Sequence, residues 1–105
     1  MYVTIWEFSV RPGSESEFEK IYGPEGDWAR LFAGGAGYQG TEVLRDQEQG
    51  DDRDATRYLT IDRWSSAQAF ADFRSKFGAQ YEKLDARCEC LTTREACLGK
   101  CETKT

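Results

Sequence analysis

Hydrophobic spacing changes period at Trp64, from two to about 3.6, and that change limits the folds open to the chain. From Arg57 to Trp64 (Arg-Tyr-Leu-Thr-Ile-Asp-Arg-Trp) large and polar residues alternate as in a strand. Beyond Ser65, Phe70, Phe73 and Phe77 recur at helical spacing, so a helix is expected over Ser66 to Phe77. An earlier stretch repeats this order. Tyr2 to Val10 reads as a strand, Pro12-Gly13 turns the chain, and Ser14 with Glu17 gives a capping-box pattern for a helix carrying Phe18, Ile21 and Tyr22. Two strand-then-helix units in one short chain point to a split βαβ layer.

The remaining segments fill in that plan. Gly23-Pro24 breaks the first helix, and Asp27 is a suitable N-cap for a short helix bearing Trp28, Leu31 and Phe32 before the turn Gly34-Gly35-Ala36-Gly37. Tyr38 to Arg45 and Arg57 to Trp64 form an expected antiparallel hairpin, joined by the polar, acidic and mobile connector Asp46 to Thr56. A further helix presents Tyr81, Leu84, Cys88 and Leu91 on one face, Glu95 to Cys101 makes a short fourth strand, and Glu102 to Thr105 is a frayed tail. The expected architecture is one α+β domain over residues 1–105, a ferredoxin-like four-stranded antiparallel sheet with helices on one face.

In the first strand Tyr2, Thr4, Trp6, Phe8 and Val10 oppose Val3, Ile5, Glu7 and Ser9. In the third, Tyr58, Thr60, Asp62 and Trp64 oppose Arg57, Leu59, Ile61 and Arg63. Bulk therefore lies on both faces. A face without helices but with such bulk is expected to stack on a second copy, giving a homodimeric α/β barrel around a cavity.

Charge and missing residue types narrow the function. The net charge is −5 with no basic cluster, which argues against nucleic acid and against anionic membrane surfaces as partners. No apolar run approaches the roughly 18 residues of a membrane span, and the amino terminus carries no export signal, so a cytoplasmic protein is expected. The chain contains neither histidine nor asparagine. Proton transfer near neutral pH would thus fall to a carboxylate, tyrosine, lysine or cysteine.

Several residues are candidates on these terms. Asp62 shares the face of Trp64; desolvated, it could act as a base, although pairing with an arginine is the plainer expectation. Trp64 could stack on a planar ligand or simply pack in the core. Tyr22, Asp27 and Trp28 flank an inserted turn that could serve as a lid, offering a hydroxyl, a carboxylate and an indole to a pocket mouth; the alternative is that Asp27 caps and Trp28 packs. Tyr38 and Arg30 are further candidates of this kind. Cys88, Cys90, Cys97 and Cys101 are four thiols, but their Cys-x-Cys spacing does not suit zinc, so no metal is expected and Cys88 is assigned to the core. The glycines of residues 34–37 follow a helix and precede a strand, the reverse of a dinucleotide-binding turn.

The strand leading to Arg11-Pro12-Gly13, the run Tyr58-Leu-Thr-Ile-Asp-Arg-Trp64 followed by Ser66 and Phe70, and the element order together resemble the antibiotic biosynthesis monooxygenase superfamily of dimeric α/β barrels. That resemblance implies a small-molecule pocket between sheet and helices in each subunit. In some members it implies oxygenation of phenolic, anthrone-like substrates without metal, flavin or other cofactor. A heme-degrading branch of similar fold uses an Asn, Trp and His set, of which only Trp64 has a counterpart here. Where relatives often place a polar or histidine side chain on the second main helix, this chain has Phe70 and Phe73, so a greasier pocket is expected. The implied activity is a cofactor-independent monooxygenase for a planar aromatic or polyketide-like molecule, with Asp62, Trp64 and Tyr22 catalytic and Asp27, Trp28, Tyr38, Phe70 and Phe73 binding substrate. The alternatives are a non-catalytic binding barrel, as carrier or sensor, and a dimer with no ligand.

Overall fold

The computed structural model describes residues 1–48 and 55–104. The chain runs β1 (Tyr2–Val10), α1 (Glu15–Tyr22), α2 (Asp27–Phe32), β2 (Tyr38–Arg45), β3 (Thr56–Trp64), α3 (Ala67–Cys88), a 3-10 turn (Glu89–Leu91) and β4 (Thr92–Glu102). The strands form one antiparallel sheet in the order β2-β3-β1-β4. Helices cover one face, as expected for the ferredoxin-like α+β layer.

Alternation along the two central strands decides which face is covered. Thr4, Phe8 and Val10 of β1 and Tyr58, Thr60, Asp62 and Trp64 of β3 are buried under the helices, while Val3, Ile5, Leu59 and Ile61 point to the other face and stay half-buried. The covering helices supply Phe18 and Tyr22 from α1, Trp28 and Phe32 from α2, and Phe73, Leu84 and Cys88 from α3. The core is chiefly aromatic. Phe18 stacks on Tyr22 with ring centroids 4.1 Å apart, and Phe32 meets Trp64 edge-on at 5.6 Å.

Local geometry departs from the expected pattern at three places. Ser14 makes no side-chain capping bond; the carboxylate of Glu15 instead accepts from the backbone N–H of Gly13 at 2.8 Å. Gly26 occupies the cap position of α2, so Asp27 is its first helical residue rather than its cap. The two helices expected after Ser66 run on as the single element α3, and the break between them falls at Phe77 as expected, where φ is −113° and ψ is 20°. Its start is as read, with Ser66 Oγ accepting from Ala69 N–H at 3.1 Å. Finally, β4 is longer than Glu95 to Cys101 because β1 offers it partners from Tyr2 to Val10. The connector between β2 and β3, expected to be mobile, lies in part outside the described residues.

The glycine turn after α2 has a packing cause. A Cβ on Gly35 would sit 3.0 Å from Phe73 and 3.1 Å from Trp64, so a side chain there would press on those rings and glycine lets the chain cross them closely.

Candidate functional site

Between the covered sheet face and the helices lies a cavity of about 330 Å³, a size suited to a small organic ligand. Thr4, Trp6 and Phe8 of β1, Thr41 of β2, and Thr60 and Asp62 of β3 form its floor. Tyr22, Trp28 and Phe32 come from the first two helices, and Phe70, Arg74, Tyr81 and Asp85 from α3. Those four α3 positions recur at helical spacing on one side of the helix, on both sides of the kink. Glu95 and Lys100 of β4 complete the wall.

Asp62 is the chemically distinctive group. It is only 8% exposed. Strand register places Thr4 opposite it on β1 and Thr41 opposite it on β2. Thr41 Oγ1 donates to Asp62 Oδ1 at 2.7 Å and Thr4 Oγ1 to Oδ2 at 3.4 Å. Among the described residues no arginine or lysine lies within ion-pair distance, so the expected arginine partner is not found within this chain. Burial pushes the carboxyl up to about 6 against the pull of the two threonine hydroxyls. An uncompensated carboxylate with that affinity can take a proton from a bound molecule and return it near neutral pH.

Tyr22 also lines the cavity, but its chemistry differs. Burial, and then the neighbouring Cys88, drive its phenol far above its ordinary value, so it can donate a hydrogen bond but not serve as a base. Arg74 lies with its guanidinium 3.8 Å from the ring centroid of Tyr81, a cation–π contact on the cavity wall. Burial and the nearby carboxylates of Asp85 and Glu89 raise the carboxyl of Glu95.

The structure thus brings Asp62, Tyr22, Trp28 and Phe70 to one cavity and leaves the other expected residues outside its wall. Trp64 is fully buried, enclosed by Phe32, Tyr38, Phe70 and Phe73 with ring centroids 5.2–5.6 Å away. Phe73 is 2% exposed and belongs to the same plug. Tyr38 packs on Phe32 and Trp64. Asp27 turns away to pair with Arg30 at 3.0 Å and with Arg87. Arg30 is taken up by that pair and by the Glu25 carbonyl at 2.8 Å. The segment expected to act as a lid is a packed wall, since Tyr22 and Trp28 are 7% and 6% exposed. The cysteines are unpaired thiols; Cys88 is buried as assigned, and Cys90, Cys97 and Cys101 are exposed. Among the described residues no three His, Cys, Asp or Glu side chains are grouped as metal ligands. Likewise, no described helix is long and apolar enough to cross a membrane. Sequence reasoning missed Thr4, Thr41 and Thr60; a correct strand register, placing one threonine on each side of Asp62, would have found the first two.

Comparison with known proteins adds to this geometry. A family model described as antibiotic biosynthesis monooxygenase matches residues 1–80. No curated protein matches the sequence. Among solved structures, the chain is similar to SnoaB from Streptomyces nogalater, described as a cofactor-independent oxygenase. The identity is 21% and the TM-score 0.62, over 97% of this chain and 94% of that one. An asparagine variant of SnoaB aligns at 22% identity and TM-score 0.58, over 97% of this chain and 94% of that one. A Bacillus cereus protein described as a candidate antibiotic biosynthesis monooxygenase aligns at 15% identity and TM-score 0.60, over 99% of this chain and 95% of that one. At these identities the structural likeness establishes the fold.

Proposed function

Because the chain belongs to the antibiotic biosynthesis monooxygenase family, we propose that it is a cofactor-independent monooxygenase acting on a planar aromatic or polyketide-like molecule held in the cavity. The observation that carries this reading is Asp62, a buried carboxylate in an aromatic cavity with no counter-ion among the described residues. Asp62 removes a proton from an acidic carbon or phenol of the ligand, leaving a carbanion. The carbanion reduces O₂ and joins it as a carbon-bound peroxide. Where the carbon began as a methylene, the protonated peroxide loses water and leaves a carbonyl. The two oxygen atoms of O₂ end in the carbonyl and in water. Tyr22 stays protonated and donates, while Trp6, Trp28 and Phe70 hold the ligand plane.

The open sheet face fits a second copy of the chain. Ile5, Ile61 and Leu59 lie at its centre with Leu44 exposed beside them, and the Glu7–Arg57–Asp46 ion pairs border them. In this reading the barrel forms from two stacked sheets.

One observation favours a second reading, a binding barrel without turnover. Trp64, the indole that the family resemblance assigned to catalysis, is sealed in the core. A thermal-shift screen against planar phenols, anthrones, quinones, flavins and heme, with O₂ uptake followed in metal-free buffer, separates the readings. Stabilisation by a phenol or anthrone with O₂ consumption that Asp62→Asn abolishes supports the oxygenase. Stabilisation without uptake supports the binding barrel.

A further inference from the structure

β2 contains an irregularity next to the cavity. Tyr38 pairs with Trp64 and Gly40 with Arg63, so Gln39 is an extra residue, and Gly40 takes a φ of +122°. Residues three apart on a regular strand face opposite sides. The bulge returns Tyr38 to the side of Thr41, as bulges do when they re-aim a side chain. The Tyr38 hydroxyl consequently lies 2.5 Å from Thr41 Oγ1, which lies 2.7 Å from Asp62 Oδ1.

Direction follows from the inventory of protons. An ionised carboxylate only accepts, so Thr41 gives its single proton to Asp62 and Tyr38 is the donor to Thr41. We propose that Tyr38 and Thr41 are positioning residues acting in series on Asp62, aligned by the β2 bulge, so that the proton affinity of the cavity carboxylate is set from outside the cavity. The catalytic consequence rests on Asp62 being the base; the relay itself does not. When Asp62 takes a proton the chain reverses, with Asp62 donating to Thr41 and Thr41 to Tyr38. Bonds to the ionised form are the stronger set and reinforce one another along the chain, so the relay favours the charged state. The other titratable or charged groups on the cavity wall are Tyr22, Arg74, Tyr81, Asp85, Glu95 and Lys100. Among the described residues none of them hydrogen-bonds or ion-pairs with Asp62, whose remaining contact is Thr4.

The test is a carboxyl carbon NMR titration of the ligand-free protein, with the Asp62 signal assigned by its loss in Asp62→Asn. Thr41→Val keeps the side-chain shape and is expected to raise the midpoint by about one pH unit. Tyr38→Phe is expected to raise it by about half a pH unit, and Thr41→Ser to restore the native midpoint. A Cβ on Gly40 meets nothing within 4 Å, so Gly40→Ala strains only the backbone angle, and it should move the midpoint the same way as Tyr38→Phe. An unchanged midpoint in folded Thr41→Val or Tyr38→Phe overturns the relay. An unchanged midpoint in Gly40→Ala overturns the part given to the bulge. No substrate is needed, so absence of O₂ uptake would count against the oxygenase while leaving this result standing.

Discussion

Asp62 and Trp64 leave the same face of β3, one alternation apart, and end in opposite surroundings. The indole is enclosed by four aromatic rings with no accessible surface, whereas the carboxylate faces a cavity of about 330 Å³. Strand geometry is common to both, so the difference comes from what lies above. Over Trp64, the end of α2, the glycine turn and the first half of α3 bring Phe32, Tyr38 and Phe73 into contact. Over Asp62, residues of α1, α2 and both halves of α3 enclose a cavity instead of closing on the carboxylate, and Thr4, Thr41 and Thr60 line its floor. One region is close-packed, and the other keeps a buried carboxyl of raised proton affinity beside a cavity. Phe70 belongs to both, touching Trp64 and lining the cavity.

The contrast is sharpest in stability. Trp64→Ala should cost about 3–5 kcal/mol, visible as a large drop in melting temperature, because the surrounding rings are held by contacts and cannot collapse fully into the space. A loss under about 1 kcal/mol would break the comparison by making the plug a loose wall.

Asp62→Asn should act with the opposite sign. The folded-state carboxyl is raised above its ordinary value to about 6, so the folded chain holds a proton that the unfolded chain releases. Stability is then fullest below about pH 4 and falls as pH rises through about 6, with the loss complete above that. Asparagine removes the titration, so at pH 7 the variant should be more stable by about 3 kcal/mol, with a flat melting profile between pH 4 and 6. Denaturant melts across that window check it. A native-like slope in the variant would show that other carboxylates set the pH response.

The smallest effect is expected at the rim. Asp27 is paired with Arg30 and Arg87, both arginines largely exposed, and Asp27→Asn should cost less than about 1 kcal/mol, less still at high salt. Loss of ligand binding in that variant, without loss of stability, would return Asp27 to the site.

Much of the fold was legible because it rests on local period. The alternation in β1 and β3, the serine cap of α3 and the Phe70–Phe73–Phe77 stripe are all written in neighbouring residues. The break at Phe77 was legible as the end of that stripe, whereas the joining of the two segments into one kinked helix, with no proline at the kink, was not. The length of β4 depended on its partner β1 and not on its own sequence.

The site was less legible for the same reason. Asp62 could be chosen because alternation gives its face. Its environment could not, because Thr4 and Thr41 reach it from other strands. The fate of Trp64 was hidden in the same way, for it turns on Phe32, which lies in a different helix. Tyr38 shows the limit most clearly: counted along a regular strand it faces away from Thr41, and only the extra residue at Gln39 reverses that.

The lack of a counter-ion at Asp62 among the described residues also bears on how easily the chain could be altered. One base change separates an aspartate codon from an asparagine or valine codon, and either replacement would relieve a buried charge. A lineage under selection for stability alone would cross that step readily. The buried charge is therefore a single step from removal, and in the reading where Asp62 is the base that step exchanges chemistry for stability.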